Sequence, residues 1–244
     1  MTDEKKTHGF RAKPGMSIRM LADYMSASEQ AKRTLLTKCK YPPIAPVIQH
    51  KDAQESIADR LSRVGATDDD IVSRSETLRS GLQGTPFEIE VAENNADYLD
   101  RYLEVPFAIP PRVQTVERGD KMPPLQIEGF NLTCTPHLLF KRVNRRNTPK
   151  IGLGFFRYAR GKALPIETAC WQSAIGFGYL KTKLEQGLGE IDPERDLCIV
   201  FDVWTGKSHS APGNAVYRFN EVRAICAGIA QRWGNIPPPQ GAVY

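Results

Sequence analysis

The residues best suited to chemistry in this chain are cationic, and they are concentrated in one segment. Between Gly129 and Ile166 there is no aspartate or glutamate, while lysines and arginines give the segment a charge of +8. These cations are Lys141, Arg142, Arg145, Arg146, Lys150, Arg157, Arg160 and Lys162. The whole chain carries only +5, so the remaining residues are net acidic. A block of like charge repels itself unless an anion neutralises it, which predicts a polyanionic partner.

The types of side chain in this segment favour nucleic acid as that partner. Most of the cations are arginines, whose guanidinium groups bind phosphate through paired hydrogen bonds. The interleaved aromatic residues, which could stack on bases, are Phe140, Phe155, Phe156 and Tyr158. We therefore predict that DNA or RNA binds an open face formed by all eight cations. The alternative is a solvated hairpin with core aromatics behind it.

A second basic cluster has a simpler explanation. It comprises Lys32, Arg33, Lys38 and Lys40. These cations lie near the end of a predicted helix, where positive charge also complements the helix dipole. We expect a structural role for this cluster more than a binding role.

Other familiar kinds of functional site are not indicated. The cysteines are Cys39, Cys134, Cys170, Cys198 and Cys226, without a CxxC pair, and no HExxH, GxSxG or Walker-type loop occurs. The sequence therefore predicts no metal site and no cofactor. No apolar run approaches the length of about 18–20 residues that crosses a bilayer, and the polar start of the chain lacks a secretory pattern. We expect a cytoplasmic protein without a membrane partner.

The order of predicted elements indicates an α/β (α+β) fold. We expect a disordered tail over 1–16, a helical region over 17–84, an α/β domain over 85–235 and a flexible proline-rich tail over 236–244. Thr85-Pro86 predicts the helix that opens the α/β domain, because a capping threonine precedes a proline at the first helical position. Strands are then expected from Leu125, from His137 and from Lys150. A helix to about Gln186, a buried strand to Trp204 and a last helix follow.

This order resembles the αβββαβ core of the restriction-endonuclease-like, or PD-(D/E)XK, nuclease superfamily. Members of that superfamily place an acid at the start of the second strand and an acid-x-lysine pair on the third strand, and these groups hold Mg²⁺. Here His137 takes the place of the first acid, and glycine, phenylalanine and arginine fill the third-strand positions. A helix glutamate, Glu90 or Glu93, would complete such a site. The resemblance therefore implies a nuclease-like domain that has lost hydrolysis, of the kind found in bacterial mobile-element or phage-defence systems.

Two other functions remain open at the level of the sequence. The carboxylates could have moved, with Glu93, Glu128 and His137 forming a Mg²⁺-dependent nuclease site and Asp202 as a further acid. His137 could equally be a structural histidine, and a buried Asp202 would need a partner such as Lys207 or Arg218. Alternatively, the N-terminal helices could bind a protein partner, and the chain would then be an interaction subunit without nucleic-acid contact.

Overall fold

The computed structural model describes residues 6–44, 50–63, 65–81 and 84–244, and its fold belongs to the mixed α/β class that the sequence predicts. Its helices are α1 (Ile18–Ser26), α2 (Glu29–Lys40), α3 (Lys51–Ser62), α4 (Asp68–Ser80), α5 (Pro86–Glu104), α6 (Ile166–Glu185) and α7 (Ala215–Arg232). Its strands are β1 (Gly15–Ser17), β2 (Thr115–Arg118), β3 (Met122–Ile127), β4 (Phe130–Cys134), β5 (Leu138–Val143), β6 (Pro149–Arg157), β7 (Asp192–Pro193), β8 (Ile199–Asp202) and β9 (Lys207–Ser210). Among the residues described, no helix is both long enough and apolar enough to cross a membrane.

The predicted helices form because their capping signals are local in the sequence. Thr85 accepts a hydrogen bond from the Glu88 amide, and the Glu88 carboxylate accepts one from the Thr85 amide, which closes the capping box of α5. The region expected to be helical over 17–84 contains α1 to α4. The last helix expected after the buried strand is present as α7 and begins at Ala215.

The main sheet has the strand order β2-β5-β6-β8-β9, with β7 pairing on β6 beside β8. β2, β5 and β6 are successively antiparallel, whereas β8 is parallel to β6 because α6 crosses over between them. In the β6–β8 register, Arg157 lies opposite Asp202. The carboxyl ends of these two parallel strands therefore meet at one edge of the sheet.

The first of the three predicted consecutive strands differs from the prediction. Residues from Leu125 belong to β3, which pairs with β4 in a separate sheet of order β1-β4-β3. β2, a strand that the sequence analysis does not predict, takes the place beside β5 that was expected for the strand from Leu125. The misleading signal was Pro123-Pro124. These prolines lie within an edge strand, at a shift of register between Met122 and Leu125, where missing amide hydrogens are tolerated.

Two hydrophobic cores lie on opposite faces of the main sheet. One contains Leu153, Phe155 and Val200 with residues of α1, α2, α6, α7 and the small sheet. The other contains Phe156 and Phe201 with residues of α3, α4 and α5. The N-terminal helices are thus divided between the cores, so the boundary expected at residue 84 does not separate two cores.

The terminal segments contact each other and the body of the fold. Met16, expected at the end of a disordered tail, is buried in β1. The amides of Thr7 and His8 donate to the Val243 carbonyl, and Lys40 donates to the carbonyl of Ile236. These contacts lie in the segments that the sequence predicts to be a disordered tail (1–16) and a flexible tail (236–244), while residues 1–5 lie outside the described part.

Candidate nucleic-acid interface

The turn between β5 and β6 brings arginines together at the end of a hairpin. The side-chain oxygen of Asn144 accepts hydrogen bonds from the amides of Arg146 and Thr148, at 2.9 Å and 3.0 Å. Asn147 has a φ of 60°, in the left-handed region that asparagine tolerates. This turn leaves the side chains of Arg145 and Arg146 exposed at the tip.

A cleft of about 570 Å³ lies beside this turn. We define the arginine cleft by its lining residues, Arg112, Arg142, Asn144, Arg145 and Arg146. In the described part of the chain, neither Arg145 nor Arg146 lies within ion-pair distance of a carboxylate. Arg112 was missed in the sequence because it lies more than 30 positions before the turn, in a loop whose proximity only the fold creates.

The expectation that all eight cations share one open face is wrong. The ion pairs that neutralise five of them are Lys141–Glu117, Arg142–Glu194, Lys150–Asp192, Arg157–Asp23 and Arg160–Asp97. The acids come from distant parts of the chain, so a segment without acids in the sequence is not without acids in space. The unpaired cations of the predicted set, within the described residues, are Arg145, Arg146 and Lys162.

The eight cations are also divided between two ends of the sheet. β6 begins at Pro149 beside the hairpin tip and ends at Arg157. A strand of this length spans roughly 26 Å, which separates Arg157, Arg160 and Lys162 from the arginine cleft. Arg157 is buried, with only 6% of its side chain exposed. It cannot present its guanidinium group on an open face.

The aromatic residues proposed to stack on bases are core residues. Phe140, Phe155, Phe156 and Tyr158 are all buried. Tyr158 stacks on Tyr98 with ring centroids 4.2 Å apart, and Phe156 stacks on the imidazole of His137. Base stacking by these rings is therefore excluded in this conformation.

His137 is integrated into the sheet. Its Nδ1 accepts a hydrogen bond of 3.0 Å from the Phe156 amide, and its own amide donates to the Gly154 carbonyl. Burial, together with the positive charge of Arg19, lowers the pKa of His137 to about 3. The imidazole is therefore neutral at physiological pH and acts as a structural acceptor.

The residues of the alternative nuclease site lie on separate elements. Glu128, at the β3–β4 turn, forms an ion pair of 3.2 Å with Arg223 of α7. Glu93 is exposed on α5. Across the residues described, no group of three or more His, Cys, Asp or Glu side chains is arranged to hold a metal ion. The structure does not assemble Glu93, Glu128 and His137 into such a site.

Asp202 is buried but has none of the predicted partners. Its carboxylate accepts hydrogen bonds from the Leu164 amide at 3.0 Å, the Trp204 amide at 3.2 Å and the Thr205 hydroxyl at 2.6 Å. Arg218, one of the expected partners, pairs with Glu167 instead. Asp202 therefore anchors the loop before α6 to the end of β8.

The low pKa of His137 gives a testable dependence of stability on pH. The unfolded chain binds a proton at His137 near its ordinary pKa of 6.5, whereas the folded chain does so only near 3. The contribution is therefore complete above about pH 6.5 and is lost as the pH falls toward 3, by up to about 1.4 kcal/mol per pH unit. We expect His137→Gln to reduce the slope of unfolding free energy against pH by about this amount.

Urea unfolding between about pH 4 and pH 7 measures this slope. Glutamine keeps an oxygen that can accept from the Phe156 amide. His8→Gln is the matched control because the ring of His8 has only an exposed contact with the Thr7 hydroxyl. His50 and His209 also have pKa values lowered by burial, so part of the slope remains in the variant. Equal slopes for His137→Gln and the wild type would contradict the prediction.

The sequence matches no protein-family model, and no curated protein is significantly similar to it.

Proposed function

We propose that the protein binds nucleic acid through the arginine cleft, by contacts to the phosphate backbone. The observation that carries the proposal is the pair of exposed guanidinium groups of Arg145 and Arg146, which have no carboxylate partner among the described residues and lie in one cleft with two further arginines. Guanidinium groups without a carboxylate partner are stabilised most by binding an anion from outside the protein. The lining of the cleft has no aromatic ring, so we expect contacts to phosphate groups and no stacking on bases.

The other two arginines contribute less to the proposed contact. Arg142 is hydrogen-bonded to Glu194, which raises the pKa of its guanidinium group, and both side chains are about four-fifths buried. Arg112 forms an exposed ion pair of 3.2 Å with Asp196. A phosphate would have to compete with these carboxylates. Arg145 and Arg146 are therefore the main phosphate ligands in this proposal.

The topology supports the further proposal of kinship with restriction-endonuclease-like domains. α5 precedes β2, β5 and β6, which pair in that order, and α6 then leads to β8 parallel to β6. This is the αβββαβ order, with β3 and β4 as an insertion in a second sheet. The position of the second-strand acid is held by the partly buried His137, so we propose a domain that binds nucleic acid without cleaving it.

The salt dependence of binding tests the proposed function. Replacing both Arg145 and Arg146 with glutamine removes two phosphate contacts. The slope of log affinity against log salt concentration should then become less steep by about 1.4 for a single strand and about 1.8 for a duplex. Fluorescence anisotropy with labelled single-stranded and double-stranded DNA and RNA measures this slope. Arg142 is left in place because its removal would leave Glu194 unpaired.

The control variant removes the same charge from another surface. Arg33→Gln with Lys38→Gln alters exposed cations of α2, away from the cleft. If binding depends only on net charge, the two double variants will behave alike, and the arginine cleft is not the contact surface. Cleavage of the probes in the presence of Mg²⁺ would instead support the nuclease alternative.

A further inference from the structure

A second cavity, of about 360 Å³, opens at the carboxyl ends of the parallel strands β6 and β8. We call it the strand-end cavity and define it by its charged lining residues, Arg19, Asp23, Arg157, Lys162 and Asp202. The carboxyl ends of parallel strands joined by a crossover helix are a common location for ligand sites in α/β proteins. The volume is also within the usual range for small-molecule sites.

The two acidic residues of the strand-end cavity already have partners. Asp23 of α1 accepts two hydrogen bonds from the guanidinium group of Arg157. Asp202 accepts three hydrogen bonds, from two backbone amides and the Thr205 hydroxyl. Neither carboxylate therefore needs a ligand from outside the protein.

The cations of the cavity are less completely satisfied. Arg19 and Lys162 are exposed, and within the described ranges no carboxylate lies within ion-pair distance of either one. Arg157 is more than nine-tenths buried, and its Nε has no hydrogen-bond partner. The cavity thus contains positively charged hydrogen-bond donors that lack a partner among the described residues.

The amino-terminal end of α6 adds further donors at the same place. α6 is 20 residues long, and its cap residue, Pro165, provides no side-chain hydrogen bond to the first turn. Pro165 and Thr168 both line the cavity. The amides of a first helical turn have no partner within the helix, and they carry the positive end of the helix dipole. This end of α6 therefore favours an anion, in agreement with Arg19 and Lys162.

We propose that the strand-end cavity binds a phosphate monoester, held by Arg19, Lys162 and the first turn of α6. The cavity has three cationic and two anionic side chains, so it is net positive before the helix dipole is added. A divalent cation is disfavoured by this balance, whereas a phosphate monoester, with a charge between about −1.5 and −2 at neutral pH, complements it. The phosphate could come from a free nucleoside monophosphate or from the 5′ end of a nucleic-acid strand.

Binding of single-phosphate probes tests this proposal without relying on the arginine cleft. Inorganic phosphate and adenosine 5′-monophosphate are titrated into the whole protein by calorimetry, with adenosine and with potassium chloride at matched ionic strength as negative probes. Arg19→Gln and Lys162→Gln should each weaken phosphate binding about tenfold, as expected for loss of a charge-assisted hydrogen bond. Arg33→Gln removes an exposed arginine outside the cavity and should leave binding unchanged.

Some outcomes of this experiment identify the source of the phosphate, and others decide whether the cavity binds phosphate at all. Tighter binding of a 5′-phosphorylated oligonucleotide than of its 5′-hydroxyl counterpart would identify the 5′ end of a nucleic-acid strand as the source of the phosphate. Binding of adenosine 5′-monophosphate without that preference would identify a free nucleotide as the source of the phosphate. The proposal is overturned if phosphate has no more effect than chloride, or if Arg19→Gln and Lys162→Gln both bind phosphate as the wild type does. Loss of the arginine cleft through Arg145→Gln and Arg146→Gln should not change these titrations, so the two proposals can fail separately.

Discussion

Replacing Asp23 with alanine is expected to lower the free energy of unfolding by about 2 to 4 kcal/mol. Asp23 is the carboxylate partner of Arg157, whose side chain is only 6% exposed. The guanidinium group would stay buried at the end of β6 without a counter-charge, and its Nε already has no hydrogen-bond partner. The expected loss is below the largest values for buried pairs because Asp23 is 39% exposed and water in the strand-end cavity can partly replace it. Urea or thermal unfolding measures the loss.

Two further variants show whether the loss comes from an unpaired buried charge. Arg157→Met combined with Asp23→Ala should recover most of the stability, because removing both partners leaves no buried charge to neutralise. Glu29→Ala, which removes an exposed carboxylate paired with Lys32 on α2, should change stability far less than Asp23→Ala does. The prediction fails if Asp23→Ala is no more destabilising than Glu29→Ala, or if the double variant is less stable than either single one.

The ion pairs explain why the charge pattern of the sequence was only a partial guide to the surface. Arg157 and Asp23 are 134 positions apart, and Arg142 and Glu194 are 52 positions apart. No local pattern connects residues at such separations, because the fold alone brings them together. What survives of the predicted basic face is the part at the hairpin turn, where Asn144 fixes Arg145 and Arg146 through contacts within five residues.

The secondary structure was predictable to the extent that its signals were local. The capping threonine Thr85 before Pro86 indicated the start of α5 correctly, and the buried strand expected up to Trp204 is present as β8, which ends at Asp202. The position of β2 depends on pairing with β5, across an insertion that forms its own sheet. Pairing of this kind is decided by tertiary contacts, and Pro123-Pro124 obscured it further.

Replacing Gly178 with alanine is expected to destabilise the protein by about 1 to 3 kcal/mol, although alanine is the better helix former. Gly178 lies on α6 where the ring of Phe219 on α7 packs directly against it. A β-carbon at Gly178 would lie 2.1 Å from Cγ of Phe219 and 2.2 Å from Cδ2, closer than atoms can approach. Phe219 is itself buried in the core between α6 and α7, so its ring has little room to move. The two helices would have to separate, and unfolding by urea measures the effect.

The same substitution at Gly228 should have the opposite sign. Gly228 lies within α7, and a β-carbon there would meet nothing within 4 Å. Alanine should therefore stabilise the helix by about 0.5 to 1 kcal/mol, because it restricts the unfolded chain more than glycine does. Since the two variants make the same chemical change in neighbouring helices, their difference isolates the close approach of α6 and α7. If Gly178→Ala proves as stable as Gly228→Ala, Phe219 does not pack against Gly178 as the structure has it.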